Sequence, residues 1–226
     1  TPRGRSRQDV DLPVTETAKP VPDRTRSRRT ELLLALLVIV VVGPLVHPYG
    51  FQQASRYTLT AAIWDEHTFE LDRYDSAGVV GDDRAVKDGH VYSDKAPLQP
   101  IMAVPFYAAY RGVGGESATK LRIDENLGLW WITFWMATIP AAVLAALMYR
   151  VGRRYAPADS LPASVGLFFG SILLPFAALL FGHTLAALFV FGAFVLLSGE
   201  ATRGRLLGAG AVCGAAVAAD STSAVA

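Results

Sequence analysis

The side chains best suited to chemistry lie close together in residues 82–97, which read DDRAVKDGHVYSDKAP. Lys95 stands just before Pro97 and the apolar segment 98–110. A compact ammonium group at the mouth of an apolar segment that returns to a membrane is a good partner for a phosphate. The spacing therefore predicts that Lys95 binds an anionic lipid phosphate, with Asp94 orienting its ammonium group.

Three further side chains are candidate substrate contacts. Arg56 either pairs with a carboxylate or a phosphate, or extends from a surface helix to the lipid headgroups. Tyr92 either stacks on a sugar or is simply a tyrosine at the membrane interface. His183 lies in the turn FGHT. It either lines the same cleft, or caps a helix or faces solvent in that turn.

Metal and cofactor binding have little support in the sequence. Asp82 and Asp83 are able to hold a divalent cation together with a substrate phosphate, as Mg²⁺ sites often do. No set of ligands recurs at fixed spacing, so we predict no metal and no cofactor. The single cysteine, Cys213, has no partner for a disulfide within the chain.

Composition places these residues in a membrane protein. The chain has 226 residues, of which 52% are hydrophobic and only 18% are charged, against about 25% charged in soluble domains. The uneven clustering of charge excludes an ordinary soluble globule, a disordered chain and a disulfide-rich secreted module. A formal net charge of +1 argues against a nucleic-acid partner. The segments almost free of charge are residues 32–46, 127–149, 161–181, 184–197 and 206–219.

The elements that must position the candidate residues follow from this pattern. We predict an all-α fold, a polytopic transmembrane helical bundle with a large outer first loop that carries interfacial helices. Residues 1–30 form a disordered cytoplasmic tail, 31–51 a first transmembrane helix kinked near Pro44, and 52–126 the outer loop. Residues 127–226 hold transmembrane helices two to five. The last is incomplete, so we expect the chain to be the N-terminal part of a longer protein.

Lysine and arginine counts predict the orientation. The positive-inside rule places the three arginine-rich connectors in the cytoplasm together, because they alternate along the chain. The outer loop has eight Lys/Arg against twelve Asp/Glu, which suits the opposite side. We therefore expect an integral, multi-pass protein of a bacterial plasma membrane with a cytoplasmic N-terminus. The connector arginines are Arg24, Arg26, Arg28, Arg29, Arg150, Arg153, Arg154, Arg203 and Arg205.

Within the outer loop, four segments have distinct patterns. Residues 55–64 suit an amphipathic helix on the membrane surface. Residues 69–72 alternate as a short extended piece, and 75–89 are rich in Gly and Asp and should be irregular. The thirteen apolar residues 98–110 are too few to cross a bilayer, which favours an interfacial or re-entrant helix.

The order of motifs in this loop resembles a known family. Arg56-Tyr57, a helix, then Gly89-x-x-Tyr92-x-Asp94-Lys95-x-Pro97 and an apolar segment is similar to the first outer loop of the GT-C glycosyltransferases. The resemblance is to the dolichyl-phosphate-mannose protein mannosyltransferases and the lipid A aminoarabinose transferases. It covers about residues 52–111 by motif, and 127–197 by hydropathy only.

The resemblance implies a membrane glycosyltransferase. Such an enzyme takes a sugar from a polyprenyl-phosphate donor and attaches it to a glycan, lipid or protein acceptor on the outer face, with Lys and Arg side chains holding the phosphate. The chain departs from the family pattern at Gln52-Gln53-Ala54, which stands where the family has its catalytic Asp, and at Ala96, where the family has a first proline.

Either the base is another carboxylate, which takes the proton of the acceptor hydroxyl while cations stabilise the departing phosphate, or this branch of the family transfers by a different arrangement. We favour Asp83, with Asp82 next, because this pair lies in an irregular loop that can be aimed into a cleft. Glu66 is a further candidate for the base. The other loop carboxylates left open are Asp65, Asp88 and Asp94.

The alternative hypothesis is a non-catalytic polytopic protein: a transporter-like carrier, a scaffold, or a transferase that has lost its base. A transporter should have ionisable residues or broken helices near the middle of the membrane. Here the charge lies in the loop, and the predicted spans are mostly Leu, Ala, Val and Phe. This favours the enzyme.

Overall fold

The structure is a computed structural model that describes residues 24–45, 50–122 and 127–225. In these residues the prediction of a mainly helical chain is confirmed, with one small β-hairpin beside the helices. The helices are α1 (Arg24–Val42), α2 (Phe51–Asp65), α3 (Asp72–Ser76), α4 (Leu98–Gly112), α5 (Leu127–Thr133), α6 (Ile139–Tyr155), α7 (Ser160–Phe169), α8 (Leu173–Ala177), α9 (Gly182–Leu197) and α10 (Arg203–Ala219). The strands are β1 (Arg84–Lys87) and β2 (His90–Ser93).

The first helix begins earlier and ends earlier than the predicted span 31–51. It begins at Arg24, inside the predicted tail, and ends at Val42. Its end has a simple cause, because Gly43 and Pro44 form a turn and proline has no N–H to continue the helix. Pro44 therefore ends the helix and does not kink it. Residues 1–23 of the predicted tail lie outside the described part, as do residues 46–49.

Helix α2 is not the surface helix that residues 55–64 predicted. Ten consecutive residues of it are buried, because α4, α5 and β2 all pack around it. Its polar side chains are small enough to bond to its own backbone: the hydroxyl of Thr58 donates to Ala54 O at 2.8 Å, and that of Thr60 to Arg56 O at 3.0 Å. Periodicity indicates an amphipathic surface helix because it counts such hydroxyls as polar. Each of them can nevertheless be buried, with a backbone oxygen of the same helix as its hydrogen-bond acceptor.

A hairpin replaces the last part, residues 84–89, of the irregular segment predicted for residues 75–89. Its strands pair antiparallel, with Val86 opposite Val91. The two residues between them, Asp88 and Gly89, have φ angles of 54° and 88°, as a tight hairpin turn requires. The extended piece predicted at 69–72 is reduced to a bridge from Glu70 to Tyr92, after which α3 begins.

The longest helix runs without interruption through α5 and α6, joined by a π-helical segment at Phe134–Thr138. Pro140 follows this segment and has no N–H for the carbonyl group of Met136. The side-chain amide of Gln99 in α4 donates to that carbonyl at 3.2 Å. This continuous helix, Leu127–Tyr155, is the one helix of the described residues that is long and apolar enough to cross a bilayer.

The predicted span 161–181 is divided into two helices. Helix α7 ends at Gly170, and α8 is only five residues long. Helices α9 and α10 form an antiparallel pair, and Arg205 donates to the carbonyl group of Leu196 at 2.9 Å, which closes the end of α9. The guanidinium of Arg150 in α6 holds Glu31 of α1, with Nε to Oε2 at 3.1 Å. Cys213 is exposed.

Candidate functional site

Helix α2 and the hairpin fix the position of the segment that holds Lys95. The hydroxyl groups of Ser55 in α2 and Ser93 in β2 are 2.8 Å apart and share a hydrogen bond. The hydroxyl of Ser93 also accepts from the backbone N–H of Lys95 at 3.2 Å. The turn that follows β2 is thereby attached to the buried helix, and Lys95 takes one defined place beside it.

The ammonium group of Lys95 lies between two carboxylates. Its Nζ is 3.3 Å from Oδ1 of Asp83 and 3.1 Å from Oδ2 of Asp94. The side chain is only 16% exposed, so these ion pairs are better shielded from water than ordinary surface pairs. The structure thus brings together three of the residues that the sequence selected.

Arg56 lies next to this group and is almost fully buried. It donates from Nη1 to Gln52 O at 3.2 Å, and its guanidinium carbon is 5.8 Å from the ring centre of Phe181. Its Nε has no hydrogen-bond partner among the described residues. A buried donor without a partner costs free energy, so Arg56 is positioned to receive one.

The charges around Arg56 show which groups face it. Burial lowers the pKa of the Arg56 guanidinium, and the opposing attraction comes from Asp220, Asp94 and Asp83. Asp220 directly follows α10, Asp94 lies in the turn after β2, and Asp83 directly precedes β1. Arg56 therefore stands where the outer loop meets the ends of the C-terminal helices. We call Arg56, Asp83, Asp94 and Lys95 the Arg56–Lys95 cluster.

His183 lies at the border of this cluster, in an ion pair with Asp220. Nδ1 of His183 faces Oδ2 of Asp220. The histidine is at the start of α9 and the aspartate directly follows α10, and these two ends are so close that a Cβ atom at Gly182 would collide with the carbonyl group of Ala219. The sequence analysis assigned no role to Asp220. The available signal was that His183 and Asp220 lie at the same end of adjacent spans.

Glu66 and Tyr92 are placed away from the cluster. Glu66 pairs with Arg73 at 3.1 Å near the start of α3. The hydroxyl of Tyr92 donates to Glu70 at 3.3 Å, on the opposite face of the hairpin from Ser93. Asp82 is exposed beside Asp83, and its backbone oxygen accepts from the N–H of Arg84 at 2.9 Å.

The glutamines at the place of the family Asp have structural contacts. The side-chain oxygen of Gln53 accepts from the backbone N–H of Leu180 at 3.3 Å, and its side chain is buried. Gln52 offers its backbone oxygen to Arg56. Gln53 therefore supports the position of α2 against the segment before α9, the Gln52 contact stays within α2, and neither residue supplies a base.

One group of the described residues has the ligand types of a metal site. Side-chain atoms of Glu70, Asp72 and His90 lie within 4.8 Å of one another. Nδ1 of His90 is 2.7 Å from Asp72 and 3.6 Å from Glu70. Asp72 also accepts from the N–H of Val91 at 2.7 Å. These contacts already join α3 to the hairpin without an ion.

A cavity of about 590 Å³ opens elsewhere, between the end of α4 and the start of α5. Its walls are mainly apolar and include Tyr110, Trp130 and Trp131. It shares no lining residue with the Arg56–Lys95 cluster. The cavity is therefore separate from the cluster.

Comparison of the chain with models of protein families, with curated proteins and with solved structures gives no match.

Proposed function

We propose that the chain is the donor-binding part of a membrane glycosyltransferase of the GT-C kind, which transfers a sugar from a polyprenyl-phosphate donor to a glycan, lipid or protein acceptor. The observation that carries the proposal is the convergence of five sequence-selected residues on one place. Three separate parts of the chain supply them: α2, the hairpin with its following turn, and the start of α9. They are Arg56, Asp83, Asp94, Lys95 and His183.

The phosphate of the donor is the ligand that this cluster suits. Lys95 offers a point charge, and Arg56 offers an unpartnered N–H in a buried position. Asp83 and Asp94 hold Lys95 in place while no anion is present. A phosphate that binds here displaces a carboxylate from Lys95 and gains charge-assisted hydrogen bonds. The same cations then stabilise the charge that develops on the leaving phosphate.

The proposed reaction needs the outer loop and the 182–183 turn on one side of a membrane. The contacts support this arrangement, because Gln99 in α4 donates to the backbone oxygen of Phe181 at 3.0 Å and Arg56 faces the same residue. We propose a multi-pass topology in which Leu127–Tyr155 and the paired helices α9 and α10 cross the bilayer. Helices α9 and α10 are 16 and 17 residues long, so they suit a bilayer locally thinner than the usual ~20-residue span.

A base is also required, because an acceptor hydroxyl is a weak nucleophile. Two candidates for it lie at this site. Asp83, the base predicted from sequence, is paired with Lys95. His183 contacts Asp220 and is half-exposed.

The first test is direct binding of a polyprenyl phosphate to the detergent-solubilised full-length protein. Lys95→Ala removes a hydrogen bond to a charged group, which contributes about 1.5–3 kcal/mol, so the dissociation constant should rise about 10–100-fold. Lys87→Ala is the matched control, because Lys87 is an exposed lysine of β1 in the same hairpin.

Thermal unfolding followed by circular dichroism should show that both variants keep the fold. Equal dissociation constants of wild type and Lys95→Ala for the polyprenyl phosphate would show that Lys95 does not bind the donor phosphate. Absence of binding by the wild type would favour a carrier or scaffold.

A further inference from the structure

The His183–Asp220 pair has the parts of a proton-transfer device. Asp220 contacts Nδ1 of the imidazole and is 7% exposed, whereas the His183 side chain is 42% exposed. Nε2 of His183 makes no hydrogen bond within the described part of the chain. One ring nitrogen is thus held by a buried carboxylate, and the other is free for a substrate.

Asp220 is itself fixed in place. Its Oδ1 accepts from the hydroxyl of Thr222 at 2.7 Å and from the N–H of Thr222 at 3.1 Å. Burial alone would raise the pKa of Asp220, but these two hydrogen bonds and the contact with His183 outweigh it and lower the pKa. A carboxylate held next to Nδ1 favours the tautomer of a neutral imidazole that carries its proton on Nδ1, which leaves Nε2 as the acceptor.

The imidazole ring has little freedom to turn away. The ring of Phe176 meets it edge-on with centres 4.6 Å apart, and the ring of Phe181 lies at 5.9 Å. Phe181 is also the ring over which the Arg56 guanidinium lies. His183 and the Arg56–Lys95 cluster therefore lie on two sides of one site. Phe181 and the attraction between Arg56 and Asp220 connect them.

We propose that His183 is the general base of the transfer and that Asp220 is its positioning residue, an inference that rests on the proposed function. Nε2 of His183 takes the proton of the acceptor hydroxyl. The oxygen then forms its bond to the anomeric carbon of the sugar as the bond from that carbon to the phosphate oxygen breaks. The electron pair of the broken bond leaves with the polyprenyl phosphate, whose added negative charge Lys95 and Arg56 stabilise. His183 returns its proton to water.

Asp83 is less suited to this role for a reason of charge. It forms an ion pair with Lys95, the group that the phosphate needs. A carboxylate that holds a cation in place is a poor proton acceptor, because protonation breaks the pair. The division of labour is then that Asp83 and Asp94 position Lys95, while the His183–Asp220 pair handles the proton.

The experiment measures sugar transfer and donor binding in the full-length protein, with a polyprenyl-phosphate sugar as donor. His183→Ala should lower turnover about 10²–10⁴-fold, the share of a general base, with the donor dissociation constant unchanged within threefold. Added imidazole should restore part of the lost rate. Asp220→Asn should also lower turnover by at least 10²-fold, because the asparagine amide donates to Nδ1 and forces the ring proton onto Nε2.

A pH profile separates the positioning role of Asp220 from a structural one. The wild-type rate should fall on acidification, and this limb should disappear in His183→Ala. In Asp220→Asn it should move, whereas a merely structural role would leave its position unchanged. His67→Asn is the matched control, because His67 is an exposed histidine of the outer loop and Asn tolerates its φ of 56°.

The outcomes separate this inference from the proposed function. Transfer by the wild type together with turnover of His183→Ala within threefold of it would overturn the role of His183 and leave the transferase proposal standing. Loss of turnover that imidazole does not restore, with an unchanged acidic limb, would also overturn it. Absence of both binding and transfer in the wild type would reject the proposed function, and the base with it.

Discussion

Two histidine–aspartate pairs lie in the described part of the chain, and their surroundings differ. In His90–Asp72, both side chains are nearly half exposed, and the pair joins the hairpin to α3. In His183–Asp220, the carboxylate is buried at the junction of α9 and α10 while the imidazole reaches the surface beside Arg56. The same two residue types thus form a solvent-exposed contact in one place and a shielded contact in the other.

The difference shows how burial of one partner changes what a pair is able to do. An exposed ion pair contributes little, because water and salt screen both charges. A buried carboxylate with fixed hydrogen bonds keeps its charge and direction, so the histidine beside it has one defined tautomer. The first pair is suited to anchoring a hairpin, and the second to moving a proton.

The largest expected effect concerns membrane topology. The proposed transferase needs the hairpin with His90–Asp72 and the junction with His183–Asp220 on the same side of the membrane. Single cysteines at Val86 in the hairpin and at Ala158 between α6 and α7, in a Cys213→Ala background, should label from opposite sides with an impermeant thiol reagent. Both positions are exposed.

Val86→Cys should react in intact cells or right-side-out vesicles, and Ala158→Cys only after the membrane is permeabilised. Labelling of both from one side would remove the proposed topology. The cysteine-free protein, Cys213→Ala, supplies the background signal.

A smaller effect is expected for Asp83→Asn. If the His183–Asp220 pair carries the proton, the carboxylate of Asp83 is dispensable for that step. Asp94 still contacts Lys95 in the variant, so turnover should fall less than about tenfold, below the usual share of a general base. A fall of about 10²–10⁴-fold with unchanged donor affinity would instead make Asp83 the base, as the sequence predicted. Asp82→Asn and Glu66→Gln are the controls for loop charge.

Much of the candidate site was predictable from the sequence because residue types carry their chemistry with them. Lys95, Asp94 and Asp83 are close in the chain, so the ion pairs among them need only a local turn. Asp220 was missed as a participant, since its partner His183 is 37 positions away. Only the antiparallel packing of α9 and α10 brings the two together.

The helices were predicted better than their surroundings. Hydropathy finds the apolar segments, but it does not show that Gly170 divides one of them or that Pro44 ends another. The hairpin was missed although Asp88-Gly89 between short β-prone runs is a typical two-residue turn. The burial of α2 was missed because it depends on three neighbours that are distant in sequence, and periodicity describes one helix at a time.

The smallest expected effect is the pH dependence of the exposed pair. The N–H of Val91 and then the imidazole of His90 lower the pKa of Asp72, whereas the contact with Asp72 and then the charge of Glu70 raise the pKa of His90. The contribution of Asp72 is present above its unfolded pKa and is lost as the pH falls through its lowered folded value. That of His90 is complete below its unfolded pKa and is lost as the pH rises through its raised folded value. The pair is therefore strongest between about pH 4 and 6.5.

Hydrogen exchange at the amides of Val91 and Leu71 measures this contact, because the first donates to Asp72 and the second to Val91 O at 2.7 Å. Their protection factors, corrected for intrinsic exchange, should fall between pH 6 and 9 by less than about fivefold, as expected for an exposed pair. In His90→Asn the fall should vanish, and the protection at pH 6 should equal that of the wild type at pH 9. A fall of the same size in the variant would assign the pH dependence of the protection factors to another group. It would also show that His90–Asp72 does not anchor the hairpin.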